Sequence, residues 1–376
     1  MRRMTLALLA TGVGVSLAVS ACGANKDNSS GSSGNTSAGS GAPAGGVKVG
    51  VILPETASSA RWEGFDRPMI DAAMKAEGLD PDIQNAQGDV QKFSTLADGM
   101  ISSGVKVLVI GSINSEVGSS VAAKAKARGI PVIDYDRLNL GGTSDYYVSF
   151  DNVKVGQLQG QGMAKALEGK QGAKVIEIEG APTDNNATLF HDGQEKVLKP
   201  LYDAGTLKLV QSQPIDNWDN QKGGQVFEQI LTANGGKVDG VVAANDGLAG
   251  AIITVLRKNG LNGKVPVTGQ DATADGLKAI LAGDQYMTVF KAIKLEAEAT
   301  AKLAAKLAKN DKAGADAIAT GTVKDTKSGR DVKSVLAEPK LITKNEVKTV
   351  ISEGYVKASE VCGGANAAVC TQLGIA

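Results

Sequence analysis

Short apolar runs and helical-period stretches alternate along most of this chain. Val47–Leu53 is apolar at every second position and then continuously so, the pattern of a strand entering a buried sheet. Helical spacing follows Arg61-Trp62 to about Glu77, and returns over Asp89–Ser103, Glu116–Arg128 and Val153–Leu167. Strands are predicted between them at 105–112, 130–136 and 146–150. A second series runs strand Ala173–Glu179, helix Asn186–Tyr202, strand Leu207–Gln213, helix Asn220–Ala233 and strand Val238–Asn245. Helix Gly247–Asn259, strand Val265–Asp271 and helix Thr273–Leu281 complete it, with Asp219 or Asn220 and Asp246 as expected caps. After Gln285–Phe290, an Ala/Leu/Lys/Glu helix extends to about Lys309. The remainder reads as irregular, apart from a short strand near Val335–Ile342 and a helix over Lys344–Ser352.

Strand–helix alternation of this kind predicts parallel sheets with right-handed crossovers. Two passages share one order of strand, helix, glycine stop, proline entry and terminal aspartate. The first is Val105–Ser112, a helix to Arg128, Gly129, then Pro131-Val132 and Asp134 to Arg137; the second is Val238–Asn245, a helix to Asn259, Gly260, then Pro266-Val267 and Asp271. The expected fold is therefore α/β, with two similar doubly wound parallel-sheet lobes joined by a multi-strand hinge. The expected partition gives 47–150 plus about 291–320 to an N-terminal lobe and 151–290 plus about 335–376 to a C-terminal lobe. The linkers 150–153 and 285–291 fall where a hinge would lie.

The first residues do not belong to that pattern. Met1 to Met4 is basic, and Thr5–Val19 is apolar but short for a membrane span. Val19-Ser-Ala-Cys22 resembles a bacterial lipoprotein signal, so 1–22 is read as a signal peptide ending at an acylated Cys22. The stretch 23–46, dominated by Gly, Ser, Asn and Ala, cannot bury a core and reads as a flexible tether. The expectation is an extracytoplasmic protein, lipid-anchored to the outer face of the cell membrane. Cys362 and Cys370 remain, and an even pair in an exported protein reads as a disulfide. Forty basic and forty acidic residues leave no net charge, which removes the electrostatic case for nucleic acid. Neither a phosphate-binding loop nor a zinc spacing is present, so no cofactor and no metal are expected, and a monomer is assumed. The single histidine, His191, has no nucleophile placed with it and reads as a surface or packing residue.

Ligands of open parallel sheets sit beyond the carboxyl ends of the strands, so polar residues there are the candidates. Asp136 and Arg137 end one strand; a mutual ion pair is the plainer reading, and a polyol contact the functional one. Asp134-Tyr-Asp136 also has the form of a short metal and nucleotide-sugar motif, which an exported protein would have no use for. Arg61-Trp62 combines a donor fork with a flat apolar face, a pairing suited to sugar rings. Trp218 lies in the polar run Pro214–Asn220, an unusual place for a core tryptophan. Asp184 and Asn186 follow a strand and fit a turn and cap as well as a ligand contact, and Asn245 has the same ambiguity. Asp271 and Lys291 are weak alone. Their convergence at strand ends carries the reading.

Residues spread through the body resemble a known family, the periplasmic sugar-binding proteins of ABC importers, its D-xylose-binding branch in particular. The carrying segments are Arg61-Trp62, Val107–Ile110, Tyr135–Arg137, Val148–Gly156, Pro182–Ala187, Val197–Pro200, Ala243–Asp246, Gly269–Ala272 and Met287–Lys291. The resemblance implies that a monosaccharide, xylose or a similar sugar, is held by Arg61, Trp62, Asp136, Arg137, Asp184, Asn186, Trp218, Asn245, Asp271 and Lys291. It is the resemblance that promotes Lys291. It also implies that the lobes close over the sugar, that an ABC permease is the partner, and that the chain is not an enzyme. Two departures stand out: Arg61 follows Ala60 where the family has an acidic residue, and the helix after Trp62 is a few residues longer. The alternatives are a receptor of the same fold signalling to a sensor kinase, a lactose-repressor-type regulator and an exported sugar-modifying enzyme. A regulator would need a helix-turn-helix where this chain has its signal and tether.

Overall fold

The seven α-helices between residues 90 and 282 each begin at an Asp, Asn or Thr whose side chain accepts a free N–H of the first turn. The caps are Asp89, Asn114, Asp151, Asp184, Asp219, Asn245 and Thr273. Each satisfies a donor the helix itself cannot, and so fixes where the helix begins. The computed structural model describes residues 46–375; the predicted signal peptide, Cys22 and nearly all of the tether lie outside them. No described helix is long and apolar enough to cross a membrane.

In chain order, the first half is β1 (Val47–Leu53), α1 (Arg67–Ala76), β2 (Leu79–Asn85), α2 (Val90–Ser102), β3 (Val107–Ile110), α3 (Ser115–Ala127), β4 (Val132–Tyr135) and β5 (Tyr146–Phe150). The second is α4 (Asn152–Ala166), β6 (Ala173–Glu179), α5 (Asn185–Asp203), β7 (Leu207–Pro214), α6 (Asn220–Ala233), β8 (Gly240–Ala243), α7 (Asp246–Lys258), α8 (Ala274–Ala282) and β9 (Thr288–Phe290). The chain then returns with α9 (Ile293–Ala308), β10 (Gly321–Lys324), β11 (Asp331–Ala337) and β12 (Lys340–Ile342).

The first sheet has seven strands in the order β10-β11-β5-β4-β3-β1-β2. Its central strands are buried on both faces. Val107 and Val109 of β3 meet α1 and α9, and Leu108 and Ile110 meet α2 and α3. That is why they read as unbroken apolar runs rather than alternation. The second sheet is built on β7-β6-β8, extended by a single bridge from Val241 to Val267. Beside it, β9 pairs antiparallel with β12.

Four expectations need correction. The strand β2 was passed over, because Asp80, Pro81 and Asp82 hide its alternation. Val265–Asp271 is not a ladder strand; it contributes one bridge and then turns through positive φ at Asp271 and Ala272. Residues 310–337, read as largely irregular, supply a short helix and the antiparallel hairpin β10–β11, with β11 paired in parallel to β5. The sheet thus takes Asp331–Ala337 into the first half, whereas the expected partition began the second half's return at about 335. Finally, the cap of α7 is Asn245 rather than Asp246.

The backbone passes between the halves at Phe150–Asn152, at Lys291–Ile293 and at Ala337–Lys340. Behind these crossings lies an aromatic cluster, in which Tyr355 meets Phe290 at 4.8 Å and Phe65 at 5.8 Å, both edge to face. The Tyr355 hydroxyl oxygen also accepts the Lys294 N–H at 2.8 Å. Cys362 and Cys370 are disulfide-bonded and close the C-terminal segment against this cluster.

Candidate ligand-binding site

The carboxyl ends of β4 and β5 face the loops after β6 and β8, and the crevice between the halves receives side chains from both. It is lined by Arg61, Trp62, Asp136, Arg137, Asp184, Asn186, Trp218, Asn245, Asp271 and Lys291, which is every position nominated from the sequence as a ligand contact. Ser58, Ser59, Phe190 and Gln270 complete the lining. The space left between these side chains is small, about 30 Å³ for the centres of water-sized molecules, so the two sets of groups lie nearly in contact with one another. Past Arg137 and Trp218 it opens into a wider groove bounded by Glu55, Gln87, Thr183 and Gln221.

Arg61 stands in the π-helical entry to α1, and three carboxylates hold it. Its Nε and Nη2 donate to the two oxygens of Asp66 at 2.8 and 2.6 Å, Nη1 donates to Asp136 at 2.7 Å, and Nη2 reaches Glu296 at 3.2 Å. Asp66 is fixed in turn by the Tyr135 hydroxyl at 2.6 Å. Burial alone would lower the Arg61 pKa, yet Asp136, Asp66 and Glu296 hold it well above its ordinary value. Burial pushes the Glu296 pKa well up, the Asp136 charge adds to that, and Arg61 opposes both. Burial also works against the Asp136 carboxylate, but Arg61, Lys291 and Arg137 together keep it below its usual range.

Asp136 is the hub. Its φ of 63° turns the backbone at the strand end; for a residue other than Gly, the left-handed region is best tolerated by Asn and Asp. The Asp136 carbonyl accepts from the Ser149 hydroxyl at 2.8 Å, Asn186 Nδ2 at 2.9 Å and the Tyr147 hydroxyl at 3.1 Å. Asn186 belongs to the second half, so this bond crosses the crevice. Arg137 crosses it too: its Nε lies 2.9 Å from Asp184 Oδ2, an ion pair without hydrogen-bond alignment, while Nη1 donates to the Ser112 carbonyl at 3.0 Å. Both guanidinium groups lie over Trp62, at 4.4 Å for Arg61 and 5.2 Å for Arg137.

From the second half, Asp184 caps α5 through the Asn186 N–H and accepts from the Trp218 indole N–H at 3.1 Å. The cap there is Asp184, not Asn186. Trp218 is buried, at a φ of 56°, edge to face with Phe190 at 6.4 Å. Its ring lies flat against Gly180, where an added Cβ would come within 2.1 Å of it. Asn245 commits its side-chain oxygen to the cap of α7 at 2.9 Å, so what it offers the crevice is its NH2 group. Lys291 pairs with Asp271 at 3.1 Å and lies 4.0 Å from Asp136. Asp271 also accepts from the Ser59 hydroxyl at 2.9 Å, a third link across the crevice.

Sequence reading missed the groups that hold the lining in place. Glu296 sits in a helix rich in Ala, Leu, Lys and Glu, where a glutamate ordinarily faces water, and no local signal marks it. Ser58 and Ser59 fall between the predicted elements, where nothing in the sequence marks them as lining.

Two buried acids near the crevice make stability pH-dependent. Burial raises Asp246 to about 7 against the bonds from Gln285, Thr273 and Thr288, and raises Asp134 to about 6 against those from Ser144 and Asn139. The folded chain therefore keeps protons that the unfolded chain releases near pH 4. The stability they confer is present in full below that pH and lost as the pH rises through 6 and 7. Asp136 and Asp325, with lowered pKa, act in the opposite sense only as the pH falls through the carboxylate range. Thermal melts are expected to give a Tm at pH 5 higher than at pH 8 by roughly 5 °C; an equal or higher Tm at pH 8 would contradict this.

Two sheet-centred halves, three backbone crossings and a polar crevice at the strand ends make this a bilobal solute-binding fold. The periplasmic binding protein domain matches residues 49–312, and the chain belongs to that family. It is 40% identical over 316 residues to the D-xylose-binding periplasmic protein of Escherichia coli K12, covering 84% of this chain and 92% of that one. It is 35% identical over 334 residues to the multiple sugar-binding periplasmic receptor ChvE of Rhizobium radiobacter, covering 83% and 92%. Among solved structures, a carbohydrate transporter solute-binding protein of Chloroflexus aurantiacus in complex with D-glucose superposes with a TM-score of 0.75 at 30% identity, covering 83% of this chain and 97% of that one. These relatives are binding and transport proteins, not enzymes.

Proposed function

We propose that the protein is an extracytoplasmic solute-binding protein that captures a monosaccharide, xylose or a similar sugar, between its two halves and delivers it to an ABC permease. The observation that carries this is the crevice itself. Donors, acceptors and two indole rings from both halves converge on one narrow crevice, held shut by polar links that a ligand's hydroxyls can replace. Sugar hydroxyls would replace the present links across it: Arg137 to Asp184, Asn186 to Asp136 and Ser59 to Asp271. Trp62 and Trp218 supply flat faces for the C–H side of the ring. Arg61, locked by carboxylates, is pre-oriented and loses little freedom when a ligand arrives.

Capture then follows from differential contact. With the halves apart, a sugar meets one set of these groups; with the halves together it meets both, and exclusion of water strengthens each bond. A sugar lacking a hydroxyl would leave a buried partner such as Asp271 or Asn245 unpaired, which is how such a site selects. We place the protein, as a monomer, at the outer face of the cell membrane, anchored by an acylated Cys22 and the 23–46 tether, and the E. coli and Rhizobium relatives named as periplasmic support an extracytoplasmic compartment.

Calorimetry and thermal shift against a panel of pentoses and hexoses test the reading. One or two monosaccharides, xylose or an epimer among them, are expected to bind with Kd of about 10 μM or tighter and to raise Tm. Amino acids and nucleotides are expected to do neither. Absence of a shift with every monosaccharide would overturn it.

A further inference from the structure

The search beyond the crevice turns up one cluster that the sugar reading does not use. Glu177 and Glu179 occupy alternate positions of β6 and so point to the same face, toward α4 and α5, while Ile176 and Ile178 face the opposite core. From α5, His191 comes down onto them. One carboxylate oxygen from each glutamate and one imidazole nitrogen lie within 4.8 Å of one another. Glu177 is fully buried and Glu179 is 5% exposed. Yet Glu177 Oε2, Glu179 Oε1 and His191 Nδ1 have no hydrogen-bond partner. Three unpartnered ligand atoms aimed at one point form a cost the fold would ordinarily remove.

The other oxygen of each carboxylate is held from outside. Tyr202 donates its hydroxyl to Glu177 Oε1 at 2.8 Å, and Gln194 reaches Glu179 Oε2 at 3.4 Å. Fixing one oxygen of a carboxylate so that the other projects is how outer groups orient metal ligands. His191 approaches Glu179 Oε1 to 3.7 Å, and its side chain is 37% exposed, so the cluster is open to solvent on that side alone.

We propose that Glu177, Glu179 and His191 form a binding site for a divalent transition-metal cation of the zinc class, separate from the sugar crevice. An imidazole nitrogen with two carboxylate oxygens suits zinc or cobalt, whereas calcium calls for six or more oxygen ligands. Closing the three atoms onto a cation at about 2.0–2.2 Å asks each to move by less than roughly 1 Å. Three protein ligands leave a position for water on the open side. The cation would clasp α5 to β6, and so steady the N-terminal turns of the helix that present Asp184 and Asn186. A simple ion pair of protonated His191 with Glu179 accounts for one close approach, but leaves the buried Glu177 Oε2 bare.

The test is titration of the full-length protein with Co2+ and Zn2+, with Mg2+ and Ca2+ in parallel. The parent is expected to take up one equivalent of Co2+ with d–d absorption indicating nitrogen and oxygen ligation, and Zn2+ should displace it and raise Tm. His191→Ala and Glu177→Gln are expected to lose at least about a hundredfold in affinity, since even outer partners contribute about 10–100-fold, while sugar binding in metal-free buffer persists. His191 is partly exposed, so its variant tests binding without threatening the core. Failure of the parent to bind, or binding undiminished in both variants, would overturn the site and leave the sugar reading untouched.

Discussion

An Asp136→Asn variant is expected to bind its sugar at least about a hundredfold more weakly than the parent while melting as one folded species. Asparagine keeps the shape of the side chain and accepts the 63° φ at this position as readily as aspartate does, so the strand end keeps its turn. What changes is the charge. Arg61 Nη1 at 2.7 Å and Lys291 at 4.0 Å lose the anion they share. Removing one partner of a buried ion pair costs about 3–5 kcal/mol, and a few kcal/mol of binding corresponds to that hundredfold. The fold survives because Arg61 still has Asp66 at 2.6 Å and Glu296 at 3.2 Å. Calorimetry with the sugar that binds the parent, beside a melt of each protein, checks both halves of the expectation. Unchanged affinity would remove Asp136 from the site.

The second large effect lies away from the crevice. In Gly193→Ala, the new Cβ would stand 2.1 Å from the Val153 carbonyl oxygen and 2.8 Å from the Gln157 backbone nitrogen. Both are backbone atoms of α4 and cannot rotate aside. The opposing Gly156 is as tight, 1.9 Å from the Phe190 carbonyl oxygen. The two helices touch through these glycines, and a methyl group would drive them apart along the packing of Met163 and Leu198. Overpacking of this kind costs about 3 kcal/mol, which lowers Tm by roughly 5 °C or more. Displacement of α5 would also carry Asn186 out of line and weaken sugar binding. Gly250→Ala is the control: that glycine lies exposed in α7 with nothing within 4 Å, and alanine there is expected to be neutral or slightly stabilising. A drop in Tm no larger than the control's would show that the helices can separate freely.

The positions nominated from the sequence line one crevice because strand ends announce themselves, with Lys291 added by the family resemblance. An apolar run that stops at a charged or amide residue puts that residue at the sheet rim, and the lining follows from assembling such rims. The same logic nominated Trp218, whose polar neighbours Asp216, Asn217 and Asp219 excluded a plain core position. It failed where burial comes from distant segments. Glu296 has no local mark, and only the packing of α9 against α1 brings it onto Arg61 from 235 positions away.

Element order, the parallel character of the sheets and the rim residues were decided by the local alternation of apolar and polar positions, because strand burial and helix capping act over a few residues. The tertiary structure alone decided that β11 returns to the first sheet, that Asp331–Ala337 and Lys340–Ile342 fall in different halves, and which carboxylate each arginine keeps. Those choices depend on pairings between residues up to 235 positions apart. Periodicity along the chain carries no trace of contacts at that separation, since their partners are set by how the two sheets stack and not by what neighbours each residue in sequence.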